Sequence, residues 1–420
     1  MKNLLLTSVF LSFCLWGFPQ KDFFNFKETL RIDYLFEGNW KKDTLYTKSF
    51  YKYKFNHFNP NTAIDKFNYG NHKVEVFDSL SDVLIFSKGF NSIFEEWQST
   101  AEAKTKTKSF QGSIIMPMPK RSFKFVISNK DKQNNYHIKH SSYINPNIAK
   151  SKNLPKNETY TIHKSGKAKD KFDIVIIPDG YGKNDSEKIN LDAQKIADGI
   201  LKCSPYSLLT DKINIHLVQV FSGKSGINDP TRKIKRESAL KTTFNFFESE
   251  RYLMTEEVWN MYDIAMLAPF DAILIMCNTD KYGGGGIYNL YATTCASCTE
   301  YAFITTHEMG HSVAGLADEY YTSDVSVEDY YNISVEPVEP NITTLVDFDS
   351  KWKNMLPEGT EIPTQIKAND NSLGVYEGAG YQAKGVYRPV PNCSMKDVIY
   401  NYFCPVCKRA IRETIEFYTK

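Results

Sequence analysis

Charge asymmetry is missing from this chain: 51 Lys+Arg stand against 49 Asp+Glu, a formal net charge of +2. Without a basic surplus nothing points to nucleic acid, and without an acidic one nothing points to a solvating tail. Long apolar runs are missing after the first twenty residues. No later stretch reaches eighteen consecutive apolar residues, so no membrane span is expected there. Tandem repeats and low-complexity tracts are absent. Histidine is scarce, at 8 in 420 residues, so any metal-ligand spacing among the histidines carries weight.

What is present is globular. Hydrophobic residues make up 42% and charged residues 24%, which excludes disorder over most of the chain. Aromatics reach 14%, a composition suited to half-buried β-sheet. Residues 1–20 read as a signal peptide: Lys2 supplies positive charge, and Leu4 to Phe18 form an apolar run too short to span a bilayer comfortably. Leu11-Ser12-Phe13-Cys14 resembles a lipoprotein box, although Phe13 is bulky for the place before the cysteine; a lipid anchor at Cys14 is one option. Export is expected, leaving the protein secreted, periplasmic or attached to the surface of a bacterium.

The remainder divides in two. Over 21–155, Leu30–Phe36, Lys73–Asp78, Asp82–Ser87 and Ser122–Ser128 alternate apolar and polar residues between turn signals, which predicts an antiparallel β-sandwich. His57, His72, His137 and His140 are scattered there and form no constellation; His137 and His140 read as surface residues. Asn147 to Lys156 reads as a linker. Over 156–420 the pattern changes. Phe172–Pro178, Ile213–Phe221 and Asp271–Asn278 read as buried strands, and Ser186–Leu201 as a helix with Ser186 at its cap. Strands alternating with helices indicate an α/β layer. The expected architecture is thus two-domain α+β.

The chemistry concentrates in His307-Glu308-Met309-Gly310-His311. Chance supplies roughly 0.01 such matches in a chain of this composition. Ser297-Cys298-Thr299-Glu300 has the form of a capping box, and an apolar helical run follows it. On a helix, His307 and His311 lie one turn apart on one face and can reach one metal at about 2.0–2.1 Å. Glu308 is then free to take a proton from water that the metal acidifies. Gly315 can end the helix in the left-handed conformation and return the chain. Asp318 follows that glycine at the spacing by which metzincin peptidases place their third ligand after HExxH, and it is favoured over its neighbour Glu319.

From His307 through Tyr320 the sequence resembles the zinc signature of the IgA peptidase family of bacterial metallopeptidases. The likeness extends from about Asp173 to Cys407 and includes Glu377-Gly378-Ala379-Gly380-Tyr381 and Tyr387-Arg388-Pro389. It implies an N-terminal β-sandwich-like domain joined to a metzincin-like catalytic domain. It also implies one catalytic zinc held by His307, His311 and Asp318, Glu308 as the catalytic carboxylate, and a polypeptide substrate, for which IgA is one candidate. Gly283–Gly286 precedes the metal helix, where such peptidases place the strand that pairs with substrate; Gly284, Gly285 and Gly286 would let a peptide backbone approach, and a surface loop is the equal alternative. Cys393-Ser394-Met395 resembles the methionine turn beneath the metal. Tyr387 is a candidate hydrogen-bond donor to the reacting carbonyl, against ordinary packing.

Eight cysteines remain to be placed. Cys295/Cys298 and Cys404/Cys407 are both C-x-x-C pairs, expected as disulfides and not as a four-thiolate zinc site. Cys393, Cys404 and Cys407 are close enough in sequence to pair locally. Cys277, inside an apolar strand, is the expected free thiol. Structural calcium in the acidic stretch Asp324–Asp329 stays open. A non-catalytic cell-surface protein that binds glycan or protein is the competing reading; a zinc hydrolase of non-peptide amides is a third.

Overall fold

The computed structural model describes residues 22–321 and 331–419. The signal-peptide reading, Cys14 and all of Asp324–Asp329 lie outside them.

Eight strands come first: β1 (Phe24–Gly38), β2 (Asp43–Tyr53), β3 (His72–Asp78), β4 (Leu84–Phe90), β5 (Lys108–Pro119), β6 (Phe123–Lys130), β7 (Tyr136–Ile144) and β8 (Lys150–Ser151). A short helix, α1 (Ile93–Gln98), lies between β4 and β5. They form two four-stranded sheets, β5-β1-β2-β8 and β4-β3-β6-β7. All pairings are antiparallel except β2 with β8. Alternation explains the core: Leu30, Ile32, Tyr34 and Phe36 of β1, Val74 and Val76 of β3, and Phe123, Phe125 and Ile127 of β6 are buried in one cluster. Lys150 and Ser151 pair with β2, so the polar stretch expected as a linker continues this sheet.

The second part holds β9 (Thr159–His163), β10 (Phe172–Asp179), α2 (Ser186–Lys202), β11 (Ile213–Val218), α3 (Val258–Ala265), β12 (Ala272–Cys277), β13 (Gly284–Ile287), β14 (Tyr291–Cys295), α4 (Tyr301–Ala314), β15 (Tyr376–Ala379), β16 (Gln382–Arg388) and α5 (Pro405–Tyr418). Its sheet runs β13-β14-β12-β10-β11-β9. The inner strands are parallel, and β9 and β13 close the two edges antiparallel. Strands buried on both faces read as continuous apolar runs, which is why β10, β11 and β12 are legible in the sequence. The faces separate by parity. Ile174, Ile176, Leu274 and Met276 join α2, α4 and α5 in one core. Val175, Ile177, Ile273 and Ile275 join α3 and the N-terminal strands in the other.

Two helix starts differ from expectation. Ser186 is the first residue of α2 and Asp185 occupies the cap. The capping box at Ser297–Glu300 does not form: the cap of α4 is Glu300, with no side-chain cap bond. Cys295 and Cys298 are disulfide-bonded, and that link holds the segment in a tight turn from which the helix departs only at Tyr301.

Candidate metal centre

Helix α4 carries His307, Glu308 and His311 across the end of the sheet, resting on β13 and β14. It stops where the sequence asks it to. Gly315 adopts φ 59° and ψ 32°, and its N–H and that of Leu316 return to the carbonyls of His311 and Gly310. Past this reversal the chain brings Asp318 back to the two imidazoles.

The three side chains converge on one point. His307 Nε2 and His311 Nε2 each lie 3.3 Å from Asp318 Oδ1, and 3.2 Å from one another. Four ligands at about 2.0–2.1 Å around a tetrahedral metal stand about 3.3–3.4 Å apart. Both Nδ1 atoms are committed elsewhere, to Ser394 O at 2.8 Å and Leu316 O at 2.6 Å. Each ring is thereby held with Nε2 toward the cluster. Asp318 Oδ1 is buried with no hydrogen-bond partner among the described residues. A cation would satisfy that oxygen and both Nε2 atoms, so the residues present fit a metal. His307, His311 and Asp318 are one of two groups of possible metal ligands among the described residues.

The other carboxylate oxygen of Asp318 is clamped. Tyr320 Oη donates to Oδ2 at 2.9 Å, and Tyr381 Oη donates to the same atom. The two tyrosines leave Oδ1 as the free ligand atom. Burial opposes charge on Asp318 and both histidines, but mutual attraction outweighs it. The charges of His311 and His307 hold Asp318 far below the usual carboxylate range, and Asp318 pushes His311 up to about 9. For Glu308, burial raises the pKa, and the two imidazoles oppose the rise.

The remaining site candidates fall as follows. Gly284, Gly285 and Gly286 form most of edge strand β13; Gly284 and Gly286 lie directly against α4, whereas Gly285 faces Met254 and Tyr252. A Cβ on Gly286 would stand 2.3 Å from Glu308 O, and one on Gly284 would stand 2.9 Å from Glu308 Cγ. Glycine is therefore what lets strand and metal helix touch. The outer edge at Gly284 is already bonded, its N–H to Arg251 O and its O from Leu253 N–H. Met395 is fully buried beneath α4; its Sδ lies 2.9 Å from where a Cβ of Gly310 would stand. Tyr387 sits in β16, its backbone paired to Thr343 and its ring against the core on the helical face of the large sheet. The tyrosines that reach the cluster are Tyr320 and Tyr381. Glu319, adjacent to Asp318, points away from it toward Cys407.

The cysteine expectation needs correction. Cys295–Cys298 is bonded, but Cys404 and Cys407 are not bonded to each other or to Cys393. Cys404 caps α5 and Cys407 lies in its first turn, so their sulfurs turn to Cys393 and Glu319. Cys277 is buried and free, as are Cys393, Cys404 and Cys407; Cys203 is free and half-buried.

A helix that carries two histidines and an uncommitted glutamate, completed by a carboxylate after a left-handed turn, is the layout of a metallopeptidase. The chain belongs to the IgA Peptidase M64 family. The model of that family matches residues 160–372 and 365–415, and that of the Peptidase M64 N-terminus matches residues 20–141. No curated protein matches the chain. The chain is thus a peptidase of two parts, a sheet-rich N-terminal one and the one that bears the ligand cluster.

Proposed function

We propose that this peptidase is an exported, zinc-dependent endopeptidase that cuts extracellular polypeptides, with His307, His311 and Asp318 as ligands and Glu308 as general base. The supporting observation is the spacing of two Nε2 atoms and one orphaned carboxylate oxygen, which matches a tetrahedral site. Zinc bound there would act as a Lewis acid on the scissile carbonyl and acidify a water molecule. The Glu308 carboxylate has no side-chain hydrogen bond among the described residues, and burial raises its pKa, which suits a carboxylate that takes a proton and returns it to the leaving amine. Its stem lies against the backbone of Gly284, which limits its rotamers. IgA stays a candidate substrate through the family's name.

The test is Glu308→Gln. The amide keeps the shape of the side chain but cannot accept the proton. Peptide cleavage should fall by about 10²–10⁴-fold, while zinc content and Tm stay near wild type. A chelator should abolish cleavage by the wild type. Undiminished cleavage by Glu308→Gln would sink the mechanism.

A further inference from the structure

A second cluster lies one residue away from the first. Glu319, Cys393, Cys404 and Cys407 each offer one ligand atom, and these atoms all lie within 4.8 Å of one another. All four residues are buried, none above 2% exposed. We propose that they form a second metal site, a structural zinc centre with three thiolates and one carboxylate.

The distances favour a metal over any covalent bond. Cys393 Sγ and Cys407 Sγ are 3.9 Å apart, where thiolates at about 2.3 Å on a tetrahedral zinc stand about 3.8 Å apart. Glu319 Oε1 lies 3.3 Å from Cys407 Sγ. Glu319 supplies the independent sign. It is completely buried, and its Oε2 has no hydrogen-bond partner among the described residues. Burial favours the neutral acid there, and an ionised carboxylate in that position needs a cation.

Two of the sulfurs also accept backbone hydrogen bonds. Cys404 N–H donates to Cys393 Sγ at 3.2 Å, and Cys407 N–H donates to Cys404 Sγ at 3.4 Å. Cys404 stands at the N-terminus of α5, and its sulfur accepts from the N–H of Cys407 in the first turn. Asn341 Nδ2 donates to Glu319 Oε1 at 3.0 Å and orients it. A soft three-thiolate set selects zinc over calcium or magnesium, and four protein ligands leave no open position for water. The site is closed, so its role is structural.

Its placement gives that role content. Glu319 follows Asp318 directly, and its N–H donates to Met395 O at 2.7 Å. Cys393 opens the segment whose Ser394 O fixes His307. The proposed zinc therefore ties together the chain after α4, the methionine segment and the start of α5, and so sets where two of the catalytic ligands stand.

Protein produced in cobalt in place of zinc tests this. Wild type should hold two cobalt ions per chain and show strong near-ultraviolet thiolate-to-cobalt absorption, which a His/His/Asp site alone cannot give. Cys407→Ser should drop to one ion and lose that absorption; His311→Ala should drop to one ion and keep it. If Cys407→Ser does not fold, the wild-type spectrum still decides. Absent thiolate absorption in the wild type, or a mass two hydrogens lower from a bond among Cys393, Cys404 and Cys407, would overturn the proposal. Thiolate absorption at one ion per chain would support this site and count against the catalytic one.

Discussion

At the scale of residues, adjacent positions face opposite ways. Asp318 turns to the histidines and Glu319 to the cysteines. Asp318 is legible in the sequence because a glycine that ends a helix fixes how soon the chain can return. Tyr320 and Tyr381 are not. Tyr381 is 63 residues from Asp318 in sequence, and with 26 tyrosines no spacing singles one out. Their hydroxyls hold Oδ2, so removing them should loosen the ligand without removing it. Tyr320→Phe combined with Tyr381→Phe should weaken zinc binding by about 10–100-fold, read by competition with a chelator. Unchanged affinity would mean that the histidines alone place the metal. Protons compete at the same site. Asp318 raises His311 to about 9 in the metal-free protein, so below that pH a proton must leave as zinc binds. Zinc affinity at this site should therefore rise with pH up to about 9, and calorimetry in buffers of different ionisation heat should detect the released proton. No proton release at pH 7 would contradict the charged His311–Asp318 pair.

At the scale of elements, the buried parallel strands and the long helices can be read because continuous apolar runs and a helical period survive any tertiary context. Strands β2 and β7 give no such signal. Their patterns mix Thr, Lys, Tyr and His, and many of their residues are only half-buried or exposed. Neither the helix caps at Ser186 and Ser297 nor the shared cysteine cluster is a local property. The glycine run is a different case: a local signal with a tertiary cause. A methyl group added at Gly286 would meet the backbone oxygen of Glu308 at 2.3 Å, whereas one added at Gly285 would meet only side chains, Met254 Sδ at 2.3 Å and the Tyr252 ring at 2.6 Å. A thioether and, at greater cost, a ring can move aside; a helix carbonyl cannot. Gly286→Ala should therefore cost about 1–3 kcal/mol by overpacking and displace α4 enough to lower cleavage at least tenfold. Gly285→Ala should lower Tm less. Equal losses in Tm would show that the strand, not the helix, yields.

At the scale of the whole molecule, the two parts share a core. One face of the large sheet and α3 are buried in the same cluster as the N-terminal strands. Tyr252, beside Gly285, donates from its hydroxyl to Glu96 of α1, so the N-terminal part also supports the strand under the metal helix. A buried charge crosses the boundary. Arg31 of β1 is fully buried; it bonds Asp33 at 2.6 Å, Asp263 of α3 at 2.6 Å and Trp259 O at 3.0 Å. Arg31→Met would leave two carboxylates without their common partner. Breaking a buried pair in this way costs about 3–5 kcal/mol, and the lower end applies because Ser113 still bonds Asp33 and Lys152 still bonds Asp263. Because the cluster is continuous, that loss should not be confined to the N-terminal part. Calorimetry of the wild type should give one unfolding transition, and Arg31→Met should move all of it to lower temperature. Cleavage measured well below the new midpoint should stay near wild type, since Arg31 touches neither ligand set. Two transitions, with only the first displaced by Arg31→Met, would mean that the halves unfold separately and that the shared core does not couple them.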